Sequence, residues 1–150
     1  MKKKNSSVSV FKVSLITLII SGCSASGPLF KSVNPIPANK GVVYIYRQSS
    51  FVGGGVFGTV TANKTPFTKI KNGGYYPYIA NAGLVNFEVT TEAANDADVI
   101  VEVGKEKYLK TTVGMGFVAG HLKFTEVSPE IGKSEISECR LLDSLSPENE

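Results

Sequence analysis

From Gly41 onward, apolar and polar positions along this chain alternate in short blocks separated by glycine and asparagine. Leu84 to Thr91 alternates most cleanly, with Val85, Phe87 and Val89 facing one way and Asn86, Glu88 and Thr90 the other. A period of two is what a half-buried strand requires. Val42 to Arg47 is a further strand, rich in Val, Tyr and Ile. Val56 to Ala62 follows, closed by a turn at Asn63-Lys64. Pro66 makes the next strand, Phe67 to Lys71, short or peripheral, and Pro77 does the same for Tyr75 to Ala80, because proline cannot donate to a sheet ladder. Asn72-Gly73-Gly74 and Asn81-Ala82-Gly83 are turn signals.

Glu92 to Asp96 reads as a polar loop, and Asp98 to Val103 as a strand with Val99, Val101 and Val103 on one face. Gly104-Lys105 then turns into Lys107 to Val113. Glycines around Met115 to Ala119 mark a loop or bulge before the last strand, His121 to Val127. Pro129 interrupts. Ser134 to Leu145 then predicts a short helix, with Ser134 as cap and Ile136, Cys139 and Leu142 on one stripe. The pattern predicts an all-β domain: an antiparallel β-sandwich, or an open barrel, of about seven to eight short strands with a short C-terminal helix. No helices of the length a parallel Rossmann-type sheet needs separate the strands.

The first forty residues follow another pattern. Lys2, Lys3 and Lys4 precede a mostly apolar run from Val8 to Ile20, interrupted by Ser9, Lys12, Ser14 and Thr17. A spanning helix needs about 20 apolar residues, so the run suits the h-region of a secretory signal better. It ends Ile20-Ser21-Gly22-Cys23, which resembles the bacterial lipobox: an aliphatic residue, two small residues and a cysteine. That resemblance implies a diacylglyceryl group on the Cys23 thiol, cleavage between Gly22 and Cys23, and acylation of the new amine. Two or more acyl chains anchor stably, at about 0.8 kcal/mol per buried CH₂. The alternative is an uncleaved hydrophobic N-terminus with an incidental cysteine. Ser24, in place of aspartate, resembles the enterobacterial pattern for delivery to the outer membrane, facing the periplasm. Residues 1–22 are then a signal peptide, 23–40 a lipidated tether rich in Ser, Gly and Pro, 41–145 the β-domain and 146–150 a flexible tail; Leu29, Phe30 and Val33 are exceptions within the tether and allow part of it to pack on the domain.

The signal changes the charge picture. The whole chain carries a net charge of +3, but four of its sixteen basic residues lie in residues 1–22. Twelve basic residues then face thirteen acidic ones, for a net charge near −1. A nucleic-acid partner loses its electrostatic basis. With Cys23 lipidated, Cys139 has no intrachain partner. It reads as a small buried hydrophobe, with an intermolecular disulfide or a reactive thiol as the alternatives.

Few residues suggest chemistry. Phe51-Val-Gly-Gly-Gly-Val-Phe-Gly58 lacks the lysine and the strand-to-helix context of a phosphate loop, and reads as a hairpin or bulge. With Phe51 and Phe57 exposed, it is a candidate contact surface. Tyr76 and Tyr78 share a strand face, with Tyr75 opposite, and are weighed as core or as a binding patch. His121 is the only histidine, which argues against zinc, and no GxSxG accompanies it. It shares a face with Lys123 and Thr125, as a solvated side chain does. Asp96, Asp98 and Glu102 lack calcium-loop spacing. No catalytic residue, metal site or cofactor is assigned.

Several segments together carry a family resemblance. Gly41-Val-Val-Tyr-Ile-Tyr-Arg47 resembles the opening strand of small bacterial lipoproteins that contain domain of unknown function 2846. Asn72-Gly-Gly-Tyr-Tyr76, Asn81-Ala-Gly-Leu-Val-Asn-Phe87, Gly104-Lys-Glu-Lys-Tyr-Leu109 and Leu122-Lys-Phe-Thr-Glu-Val127 resemble its later turns and strands, in the same order. Ala82 stands where such members carry proline, and Leu109 replaces the second tyrosine of a pair. The resemblance implies an all-β domain tethered to an envelope membrane, and it implies no reaction. Two functional expectations follow. One is a non-catalytic envelope lipoprotein that binds another envelope protein or a polymer. The other is a small ligand-carrying or hydrolytic protein acting on cell-wall or lipid material, which requires a concave pocket with converging polar groups.

Overall fold

The computed structural model describes residues 24–91, 93–114 and 120–145. Cys23 and the signal segment, the Met115 to Ala119 loop and the 146–150 tail lie outside the described residues. The strands are β1 (Lys40–Tyr46), β2 (Gly58–Ala62), β3 (Thr65–Ile70), β4 (Gly74–Asn81), β5 (Gly83–Thr90), β6 (Ala94–Val101), β7 (Glu106–Gly114), β8 (His121–Val127) and β9 (Arg140–Leu141). One helix, α1 (Pro129–Ile136), lies between β8 and β9.

Two sheets face each other as a sandwich and do not close into a barrel. One has the order β8-β7-β1-β4-β9, the other β3-β2-β5-β6. Val43, Ile45, Leu109, Leu122 and Phe124 of the first sheet meet Val60, Phe67, Val85, Phe87, Val89 and Val99 of the second in the main core. At one margin the Asn95 side chain of β6 accepts a hydrogen bond from the Phe124 amide of β8 at 2.8 Å. At the other, residues 142–145 run between β3 and β4. There the Thr68 hydroxyl donates to the Asp143 carbonyl at 2.7 Å, and the Leu145 amide donates to the Phe67 carbonyl.

The smaller sheet is antiparallel throughout. The larger is mixed, because β7 runs parallel to β1 and β9 parallel to β4. Alternation along a strand carries no sign of its direction. The composition of β1 does agree with its place: it is apolar on both faces and fully buried from Val42 to Tyr46, as a central strand with a parallel neighbour tends to be. Asn63 and Lys64 both adopt positive φ, 47° and 69°, which makes the β2–β3 connection a tight primed turn.

The prolines mark edges as their chemistry demands. Pro66 lies in β3, the outermost strand of its sheet. Pro77 lies opposite Tyr44, beyond the two residues that β9 covers. Because the Arg47 amide bonds the Gly74 carbonyl, Pro77 falls at a non-bonded position facing β1, with its nitrogen turned to the open side.

Three expected elements differ. The polar loop expected over Glu92 to Asp96 is strand from Ala94, because β6 pairs with β5 from Ala94 to Val101. Its inward positions there are Asn95 and Ala97, too polar or too small to mark a strand in sequence. The helix expected over Ser134 to Leu145 starts at Pro129 and ends at Ile136. Proline fits a first helical turn, where its missing N–H would be unpaired in any case. Ser128, not Ser134, is the N-cap residue, and Cys139 and Leu142 are buried from the extended segment beyond the helix.

The third is the tether. Packing on the domain is not confined to the Leu29, Phe30 and Val33 stretch but runs from Ser24 to Ile36. Phe30 sits edge-on to Tyr44 and Tyr75, with ring centroids 5.2 and 5.1 Å apart. Val33 and Ile36 pack on the same face, and the Leu141 amide donates to the Pro28 carbonyl. This segment and α1 cover the outer face of the larger sheet, over a second core of Val42, Tyr44, Tyr46, Tyr75, Tyr108, Ile136 and Cys139.

Candidate functional site

The second core places four tyrosines between the larger sheet and its cover. Alternation along β1 sends Val42, Tyr44 and Tyr46 outward and Val43 and Ile45 into the main core. Register brings Tyr108 of β7 beside Tyr44, with ring centroids 5.2 Å apart. Buried phenols need partners, and two carboxylates supply most of them. Glu106 accepts from Tyr44 at 3.3 Å and Tyr108 at 3.2 Å, and pairs with Lys133 at 3.1 Å. Glu135 accepts from Tyr46 at 2.5 Å and from Lys110 at 2.6 Å. The Tyr44 hydroxyl also accepts from the Val33 amide at 2.7 Å, which ties the N-terminal segment to the sheet.

Burial pushes the Tyr44 phenol up to about 12, with the Glu106 charge adding to it. Tyr46 and Tyr108 are raised further by burial and by the carboxylate beside each. Burial alone would raise the Glu135 carboxyl. The hydrogen bonds from Lys110 and Tyr46 outweigh it and hold Glu135 below the usual carboxylate range. The Cys139 thiol is buried and raised to about 12, first by desolvation and then by Glu135 and Glu138. It packs as the small hydrophobe expected, with its Sγ against the Arg47 carbonyl at 3.5 Å.

A groove opens at one end of this network, with a volume of about 630 Å³. Its walls are Ser32 to Ile36 of the N-terminal segment, Gly104 and Lys105 of the β6–β7 turn, and Pro129 and Lys133 of α1, with Glu106 on its floor. Gly104, at φ 69°, makes the turn that presents Lys105. A shallower hollow of about 390 Å³ shares Lys105, Glu106 and Pro129 and extends past Lys107 and Glu126. The walls combine aliphatic and proline side chains with the amines of Lys105 and Lys133, of which Lys133 is paired with Glu106. The floor carboxylate is already engaged by two tyrosines and a lysine, so it holds the walls in place.

Of the residues singled out from sequence, Gly104, Lys105 and Glu106 of the turn motif line the groove, and none of the candidate contact residues does. Tyr76 and Tyr78 turn inward together, as their spacing required, and pack on Phe67 with centroids 5.2 and 4.8 Å away. Tyr78 also meets Phe87 edge-on. They fill the sandwich margin as partly buried side chains packed on the main core. Phe51 and Phe57 are exposed, at 102% and 56%, with Val52 between them at 75%. Cys23 and Gly22 lie outside the described residues.

Asp96 and Asp98 both accept from the Asn86 amide nitrogen, at 3.2 and 2.8 Å, on the exposed face of the smaller sheet. Glu102 pairs instead with Lys107 at 3.2 Å, so the three acids do not converge. His121 is half-buried, and its Nδ1 has no partner among the described residues.

Sequence reasoning missed the groove because its first wall was read as a spacer. It also missed Arg47, which closes an apolar strand and gives no sign of burial. Arg47 is 2% exposed and has no carboxylate within pairing distance among the described residues. Its guanidinium donates to the carbonyls of Val56 and, at 2.6 Å, Gly53. It therefore pins the glycine-rich loop from Gly53 to Val56.

Among the described residues no helix is long and apolar enough to cross a membrane. No protein-family model, curated protein or solved structure matches the chain.

Proposed function

We propose that this chain is a non-catalytic, lipid-anchored protein of the bacterial envelope that binds another envelope protein or a polymer through the groove at Lys105 and Lys133. The observation that carries the reading is the position of this groove relative to Ser24. Ser24 bridges Asn72, at the end of the sandwich where β1 runs into Arg47. The groove surrounds the β6–β7 turn, whose Gly104 amide donates to the Lys40 carbonyl at the start of β1. The seven residues of β1 separate the two ends by roughly 20 Å at about 3.3 Å per residue. An anchor at Cys23 thus leaves the groove facing away from the bilayer.

The lipobox resemblance of Ile20-Ser21-Gly22-Cys23 supports the anchor, and the resemblance to lipoproteins with domain of unknown function 2846 supports the compartment. The engaged state of Glu106 favours binding over hydrolysis, since general acid–base work needs a carboxyl within reach of substrate and free to exchange a proton. Photo-crosslinking in intact cells tests the reading. A photoreactive residue placed at Lys105 or Lys133 is expected to capture one discrete protein or glycan adduct. Absence of any specific adduct from both positions counts against it.

A further inference from the structure

The glycine-rich loop and Ser24 lie at the same end of the molecule, and the contacts that join them are short. Ser24 follows Cys23 directly. The Ala25 amide donates to the Asn72 carbonyl at 3.0 Å. The Asn72 side chain in turn accepts from the Ser50 amide at 2.9 Å, next to Phe51. A Cβ on Gly54 would lie 3.3 Å from the Asn72 amide nitrogen, so this side chain rests against the loop it holds. Ser24, the residue that follows Cys23 in the sequence, thus lies beside the turn residue that carries the Phe51 loop.

We propose that the Phe51–Phe57 loop is a second membrane contact, inserting Phe51, Val52 and Phe57 into the lipid surface beside the Cys23 anchor. The proposal rests on the reading of Cys23 as lipidated. Three large apolar side chains stand exposed on one loop, and Arg47 holds that loop from beneath through two of its carbonyls. A pinned loop loses little conformational entropy on insertion, which favours docking. Because residues 24–40 are laid down on the domain, the anchor cannot lift the sandwich away without stripping Phe30 and Val33 from the second core. The bilayer then meets the end of the sandwich that carries Phe51, and the acyl chains and the loop bind as two linked anchors.

The chain contains no tryptophan, so a single indole reports one place without background. Phe51 is fully exposed, so Phe51→Trp disturbs no packing. The protein is extracted from membranes, its N-terminal mass is read, and it is reconstituted in phosphatidylethanolamine–phosphatidylglycerol vesicles with brominated acyl chains. The expected result is a blue shift and loss of most of the indole emission for Phe51→Trp and Val52→Trp. Leu84→Trp, on an exposed position of β5 close to the groove end, is expected to keep its emission. Equal emission from all three chains, in protein that carries acyl groups and floats with the vesicles, overturns the docking and leaves the anchor standing. Protein that carries no acyl group overturns the anchor and the docking together, and the mass spectrum separates that case from the other.

Discussion

Gly132 of α1 lies directly against the ring of Tyr108, so close that a methyl group at position 132 would overlap the Cβ, Cγ and Cδ1 atoms of the tyrosine. The helix can approach the sheet only because this position has no side chain. Gly132→Ala is expected to lift α1 and to cost about 1–3 kcal/mol, the usual range for forcing extra volume into a packed interior. Urea unfolding checks it. An unchanged midpoint would mean that the helix does not sit where the second core requires it.

Phe30 does for the N-terminal segment what Gly132 does for the helix. Its ring fills the angle between Tyr44 and Tyr75. Because it is half-buried, Phe30→Ala is expected to cost about 2 kcal/mol, below the range for a fully enclosed phenylalanine. It is also expected to open residues 24–40 to proteolysis while the sandwich stays intact. Cleavage no faster than in the parent chain would show that the segment is held elsewhere.

Tyr46→Phe removes one of the two donors to Glu135. Loss of a hydrogen bond to a partly buried charge predicts a destabilisation of about 1–2 kcal/mol at neutral pH. Since the folded carboxyl is held below its ordinary 4.5, its contribution is present above that value and is lost as pH falls through the folded pKa. The difference between parent and variant is therefore expected to shrink in acid. A difference that stays constant down to acid unfolding would place the effect in packing and not in the Glu135 charge.

The alkaline limb runs the other way. Tyr44 and Cys139 are raised from ordinary values of 10.0 and 9.0 to about 12. A raised pKa gives stability that is fully present below the unfolded value and is lost as pH rises through the folded one. Stability is thus expected to fall between pH 9 and 12, with phenolate absorbance appearing together with unfolding. Phenolate from all six tyrosines forming near pH 10 on an intact fold would contradict the buried tyrosine face.

Sequence was a good guide wherever local chemistry decides structure. Leu84 to Thr91 alternates because one side of β5 is wet, and the strand falls at Gly83–Thr90. The positive φ of Asn63, Lys64 and Gly73, and the edge positions of Pro66 and Pro77, follow from single residues. Long-range features were not legible. The parallel pairing of β1 with β7 joins residues more than sixty positions apart, and alternation is blind to it. Asn95 hid the start of β6 because its inward side chain bonds a neighbouring strand instead of filling the core. The Ser/Gly/Pro content of residues 24–40 suggests a spacer; Phe30 and Val33 stand out from it as packing residues, and with Ile36 they lie on the second core, so the segment is held along more of its length than those exceptions imply. The groove inherited that error, because a wall formed by a supposed tether cannot be read as a wall. The buried Arg47 escaped for a related reason: its partners are carbonyls, which leave no mark in sequence.

Anchoring through Cys23 can be read from the mass of the N-terminal peptide after extraction from native membranes. The expected chain begins at Cys23 and carries acyl groups on both thiol and amine. A chain that begins at Met1, or one that begins at residue 23 with an unmodified cysteine, would contradict it.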